Sequence, residues 1–229
     1  MIEKETIPVF KKNRAISITK LLAKVFIVMQ FTGRWLAAMG VPEMSGVWIF
    51  WGNSFNGKTR FALMLAKYLT RFGTVIYNTM EEGARKSMQD AMKDSGMKDV
   101  AKKLVLLDRE EMPDLKARLR KRKSPNIIFI DSFQYTGMSK RDYLNLKKEF
   151  PTKLFIFISH SEGKQPEGKV AKFIRYDADV KGLIQGYIAI ISSRYGGGVP
   201  IIISRERAIN YWSEPHVESI ENLTQKQSA

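Results

Sequence analysis

The stretch Gly52-Asn53-Ser54-Phe55-Asn56-Gly57-Lys58-Thr59 sets two glycines around four residues and follows them with a lysine and a hydroxyl. This G-x-x-x-x-G-K-[ST] spacing suits the phosphates of a nucleoside triphosphate. Glycine tolerates positive φ, so the loop backbone can turn its N–H groups inward onto phosphate oxygens. Lys58 offers a cation to the β- and γ-phosphates, and Thr59 a hydroxyl to Mg²⁺. Asn53, Ser54, Phe55, Asn56 and Arg60 complete the candidate cradle, with Phe55 expected to point outward.

Such a site also needs a carboxylate for the metal and a group that orients or deprotonates water. "SPNIIFIDSFQ" is an apolar run ending in Asp131, where a metal-shell carboxylate is wanted. "TVIYNTMEEG" ends another run in Glu81 and Glu82. Glu81 is the candidate base. Carboxylates here also suit the N-terminus of a helix beginning near Gly83, so catalysis and helix capping are both open.

These residues can meet only if the elements that carry them meet. Apolar runs at 46–52, 73–79, 103–107, 126–131 and 153–159 read as strands. Helical patterns at 57–71, 83–95, 111–122 and 140–148 separate them. The alternation is that of βαβ units around a mostly parallel sheet, whose strand C-termini gather at one edge. Two later runs flanking Gly196-Gly197-Gly198 suggest an antiparallel hairpin on the sheet edge. Residues 18–30 read as an amphipathic helix, 1–17 as a polar arm and 213–229 as a polar, frayed tail. The expected organisation is an arm and helix over 1–30, an α/β domain over 31–212 and the tail.

The 229-residue chain is 44% apolar, enough for a core, and has no cysteine, which excludes disulfides and thiolate metal sites. Its two histidines argue against a histidine zinc site. The N-terminus lacks the apolar core of a signal peptide, and Lys24, Gln30 and Arg34 interrupt the most apolar window. A cytoplasmic protein with no membrane span is expected. The formal charge of +15 attracts polyanions, nucleic acid above all, or else belongs to a solvated basic surface. "KARLRKRK" over 116–123 reads as a solvated helix face, with Leu115 and Leu119 turned inward.

Taken together, "GNSFNGKT", "YNTMEE", "IDSFQ", "LFIFISHSEGK" and "SSRYGGG" resemble the RecA-fold ATPases of the RadA, KaiC and DnaB branch, over about residues 31–212. Small stand-alone ATPases of bacterial mobile elements and phages are similar in extent. The resemblance implies a RecA-like three-layer sandwich that binds ATP and Mg²⁺. It makes His160 a sensor of the γ-phosphate and Arg194 a charge reaching into a neighbouring subunit's site, while Ser192 stands where the family has a lysine. It further implies a homo-oligomer, ring or filament, that binds DNA through two loops facing a central channel. Those loops would carry Lys140 and Arg141, then Lys164, Lys169, Lys172 and Arg175. The expected function is a Mg²⁺-dependent ATPase coupled to DNA in recombination, repair or replication. Two alternatives are a KaiC-like signalling ATPase or autokinase acting on protein, and a nucleotide-gated DNA-binding module with negligible turnover.

Overall fold

The computed structural model describes residues 15–228, so most of the expected polar arm, residues 1–14, lies outside the described residues. In chain order the first half comprises α1 (Ile18–Leu22), α2 (Gly33–Met39), β1 (Gly46–Trp51), α3 (Lys58–Leu69), β2 (Val75–Thr79), α4 (Lys86–Asp94), β3 (Leu104–Asp108) and α5 (Met112–Arg120). There follow β4 (Ile127–Asp131), α6 (Lys140–Glu149), β5 (Leu154–Ser159), β6 (Ser161–Glu162), β7 (Gln165–Pro166) and α7 (Lys169–Asp177). The chain closes with β8 (Val180–Gln185), β9 (Ile188–Ser193), β10 (Ile201–Ile202), α8 (Arg205–Tyr211) and α9 (Glu214–Ser228).

Runs such as VWIFW in β1, IIFI in β4 and LFIFI in β5 have no polar face to show to water. They form the middle of an eight-stranded sheet of order β10-β9-β8-β1-β5-β4-β2-β3, in which β9 alone runs antiparallel to its neighbours. Alternation along each strand divides the core. Trp48 and Phe50 of β1 pack under α2, α3 and α4, while Val47, Ile49 and Trp51 pack under α5, α6 and α7. Helices on both faces of a mostly parallel sheet give the expected three-layer α/β sandwich. In-register pairing places Thr79 of β2 beside Asp131 of β4, Asp131 beside Ile158 of β5, and Ser159 beside Trp51 of β1. The strand ends that carry the candidate chemistry thus share one edge.

Several expectations are corrected. The helix expected over 18–30 forms only as α1. Beyond it, Met29 donates its N–H to the Pro42 carbonyl at 2.8 Å and Ile27 accepts from Met44 at 2.9 Å, so tertiary pairing holds this stretch extended. Met29 enters the core, whereas Val25 is 90% exposed. β8 is not among the expected strands, because its alternating burial leaves no continuous apolar run. It pairs with β1, and the long hairpin is β8–β9 about Gly186-Tyr187. The expected β9–β10 pairing across the glycines spans two residues of β10. The tail is not frayed: α9 buries Val217 and Ile220 with Ile188 and Ala208.

The extended pairing at Met29 has a measurable consequence. Met29→Ala should cost about 2–5 kcal/mol in urea unfolding, the usual loss for a filled core site. Val25→Ala should stay within about 0.5 kcal/mol. Similar losses at both positions would restore the amphipathic helix.

Candidate nucleotide site

The loop 52–57 joins β1 to α3 and is braced from outside. Lys58 Nζ donates to the Asn53 carbonyl at 3.0 Å, Ser161 Oγ to Asn53 Oδ1 at 2.6 Å, and Gly186 N–H to Asn56 Oδ1 at 2.7 Å. Asn53 and Asn56 therefore hold the loop's shape, whereas Ser54, Phe55, Gly57, Lys58, Thr59 and Arg60 line a cavity of about 700 Å³. The two glycines serve different needs. A Cβ on Gly52 would come 2.2 Å from the Ile184 carbonyl, so glycine lets β8 lie against the loop. Gly57 has φ 95° and no side chain to cap α3, which leaves the first N–H groups of that helix to meet an anion. Phe55 points outward as expected, 94% exposed.

Asp131 closes the same cavity from β4 and is buried. Tyr77 Oη, from β2, donates to Asp131 Oδ2 at 2.5 Å. Burial pushes the Asp131 carboxyl up to about 6, against the pull of the Tyr77 bond and the Lys58 charge. Burial also lowers Lys58, while the charges of Asp131 and Glu81 hold it up in part. Asp131 and the Thr59 hydroxyl are hard oxygen donors, the set Mg²⁺ prefers when phosphates and water complete its shell. Among the described residues no group of three or more acidic or histidine side chains forms a separate metal cage.

Glu81 lies just past β2, and the capping reading of the glutamate pair is corrected. α4 starts at Lys86, and its cap residue is Arg85, so neither glutamate caps it. The intervening loop is held by Arg109, whose Nη2 donates to the Glu81 and Glu82 carbonyls at 3.3 and 2.8 Å. Glu81 Oε2 instead faces His160 Nε2 at 2.7 Å and accepts from Ser132 Oγ at 2.9 Å. Burial raises the Glu81 carboxyl, but the His160 and Ser132 bonds and the charges of His160 and Lys58 outweigh it, leaving the group below the ordinary carboxylate range. Glu82 also lines the cavity.

The other expected site residues are scattered. Lys169, Lys172 and Arg175 lie on α7 and not on a mobile loop. Lys172 pairs with Glu162 at 2.6 Å, and the Arg175 guanidinium lies over Trp51 and Tyr176 at 5.6 and 5.3 Å. Lys164 accepts a bond from Trp51 Nε1 at its carbonyl. Lys140 and Arg141 open α6, with Lys140 Nζ 3.9 Å from the Phe173 ring centre. Arg194 follows β9 and lies at the other end of the strands. Its Nε is 3.7 Å from Asp179, whose Oδ2 accepts from Val47 N–H at the start of β1. The chain does not bring Arg194 to its own phosphate loop. In the 116–123 cluster, Leu115 and Leu119 are buried as expected.

The sequence reading missed Tyr77, Ser132, Tyr187 and Arg207. Ser132 stood in plain view after Asp131. Tyr187 and Arg207 line the cavity from over a hundred residues away, and no local pattern marks them.

No protein-family model and no curated protein matches the chain. Among solved structures it is similar to the ATPase domain of G40P, with 16% identity, 72% of this chain and 84% of that one covered, and a TM-score of 0.51. It is also similar to the flagellar accessory protein FlaH from Methanocaldococcus jannaschii, with 15% identity, coverages of 79% and 96%, and a TM-score of 0.55. Likeness at this identity is likeness of fold. The chain has the RecA-like fold that its motifs led us to expect. Among the described residues no helix is long and apolar enough to cross a membrane.

The raised Asp131 carboxyl makes stability depend on pH in a stated direction. A carboxyl raised on folding contributes stability below its unfolded value near 4, and this is lost as pH rises through about 6. Asp131→Asn has no such loss. Without divalent cations, its advantage in thermal unfolding should grow between about pH 4 and 6.5 and then level off near 3 kcal/mol. A variant no more stable than the original at pH 8 would contradict the buried-carboxyl assignment.

Proposed function

We propose that the chain is a Mg²⁺-dependent ATPase, coupled to DNA and active as an oligomer. The observation that carries the ATPase reading is the single cavity that joins Lys58, Thr59, Asp131 and Glu81. Lys58 and the first N–H groups of α3 bind the β- and γ-phosphates. Thr59 and Asp131 hold Mg²⁺, which when bound neutralises charge on the phosphates. Both bonds to Glu81 fall on Oε2, so Oε1 is left to accept from the attacking water. His160 and Ser132 fix the carboxylate's orientation.

The charge of +15 supports DNA as the partner, with Lys164, Lys169 and Arg141 the least committed of the six expected cations. Lys140, Lys172 and Arg175 already have neighbours to leave before they could meet a phosphate. Contacts of this kind bind the backbone without reading bases. Arg194, remote from its own phosphate loop, acts on the site of a neighbouring subunit.

Lys58→Ala should abolish ATP binding. Glu81→Gln should keep binding and lower turnover by about 10²–10⁴-fold, the usual contribution of a general base. Steady-state hydrolysis with single- and double-stranded DNA across salt tests the coupling. Turnover indifferent to DNA would leave a KaiC-like ATPase acting on protein, and normal turnover in Glu81→Gln would remove Glu81 from the mechanism.

The oligomer has its own test. Arg194→Ala and Glu81→Gln should each be nearly inactive, yet mixing them should restore part of the activity where an intact Glu81 site meets an intact Arg194. Activity per chain that is constant down to monomeric dilution would refute the shared site.

A further inference from the structure

Resting on the nucleotide reading above, we infer that Arg207 and Tyr187 form the platform on which the nucleobase stacks. The sheet order sets the direction. Glu81, Asp131 and His160 lie on the β5, β4 and β2 side of β1, and β8 flanks β1 on the other. A triphosphate whose terminal phosphate faces Glu81 leaves the loop toward β8. There the cavity wall is made by Tyr187 and Arg207.

Tyr187 is held in an unusual state. Its φ of 59° lies in the left-handed region, which is strained for a residue with a Cβ. Its N–H donates to the Asn56 carbonyl at 3.2 Å, and its own carbonyl accepts from Ile203 N–H at 2.8 Å. The ring is thereby pressed against the phosphate loop, where a Cβ on Gly57 would come 2.9 Å from Tyr187 Cδ1. A glycine would fill the turn without strain; the tyrosine ring packs in part against the two clusters beneath it and in part lines the cavity.

That ring and its hydroxyl aim Arg207. The guanidinium carbon lies 5.1 Å from the ring centre, and Nη1 donates to Tyr187 Oη at 2.9 Å. Arg205, on the same helix, spends its charge on Glu214 and Glu221, whereas Arg207 has no carboxylate partner among the described residues. The result is an exposed planar cation, backed by an aromatic ring, at the nucleoside end of a phosphate site. Such a surface stacks on a purine face. Stacking reads the face of a base and not its edge, so ATP and GTP gain alike.

Calorimetric titration with ATP, GTP and inorganic tripolyphosphate, each with Mg²⁺, tests the platform. The original chain should bind both nucleotides about tenfold or more tighter than tripolyphosphate. Arg207→Ala should close most of that gap with tripolyphosphate affinity unchanged, and Tyr187→Phe, which keeps the ring, should lose less. Equal loss of ATP and tripolyphosphate in Arg207→Ala would make the arginine a phosphate ligand and overturn the platform. So would an original chain that binds tripolyphosphate as tightly as ATP. In those cases the phosphate loop stands, provided Lys58→Ala still abolishes binding. An original chain that binds none of the ligands would overturn both the platform and the nucleotide reading.

Discussion

In-register parallel pairing of β1, β5, β4 and β2 is the constraint on which the rest of this structure depends. Parallel strands all end at the same edge, so groups that end separate runs, Asp131 and the nearby Glu81, arrive within reach of one loop. Continuous apolar strands demand cover on both faces, which helical crossovers between parallel strands supply. The helices contribute cover on the two faces. α3 also reaches the site, through its uncapped first turn, and α8 through Arg207.

At that edge Lys58, Asp131 and Glu81 meet in one cavity. Lys58 is partly desolvated, Asp131 is buried, and each owes part of its charged form to the other. Burying such groups is costly unless partners compensate. Phosphates would compensate Lys58 and the amides of α3, and a divalent cation would compensate Asp131. Glu81 differs, because His160 and Ser132 already stabilise its carboxylate.

The C-terminal elements close the other side of the loop. Gly52 admits the backbone of β8 within a distance no Cβ would allow, and the β8–β9 turn then bonds Asn56 and presses Tyr187 onto Gly57. The glycines of the motif are thus required by packing. α8 and α9 buttress this turn through a small cluster of Ile188, Ala208, Val217 and Ile220. Two hydrogen bonds to Asn56 join the turn to the loop.

The amino-acid sequence by itself determined the parts that depend on neighbours along the chain. The glycine-lysine-threonine spacing, the apolar runs of β1, β4 and β5, the Asp131 that ends β4 and the Glu81 just past β2 are local patterns, and each was legible. So was the layered α/β class, because alternating runs and helical periods permit few other architectures. The tertiary structure alone decided the rest. Alternating burial hid β8, whose place is set by pairing with β1 across more than a hundred residues. Pairing with residues 42–44 overrode the helical period at Met29. The partners of Glu81, the remoteness of Arg194 from its own phosphate loop and the meeting of Tyr187 with Arg207 are likewise contacts between distant segments. Spacing along the chain carries the period of an element, but distance across the core is set by how elements pack, and that information is spread over every residue at the contact.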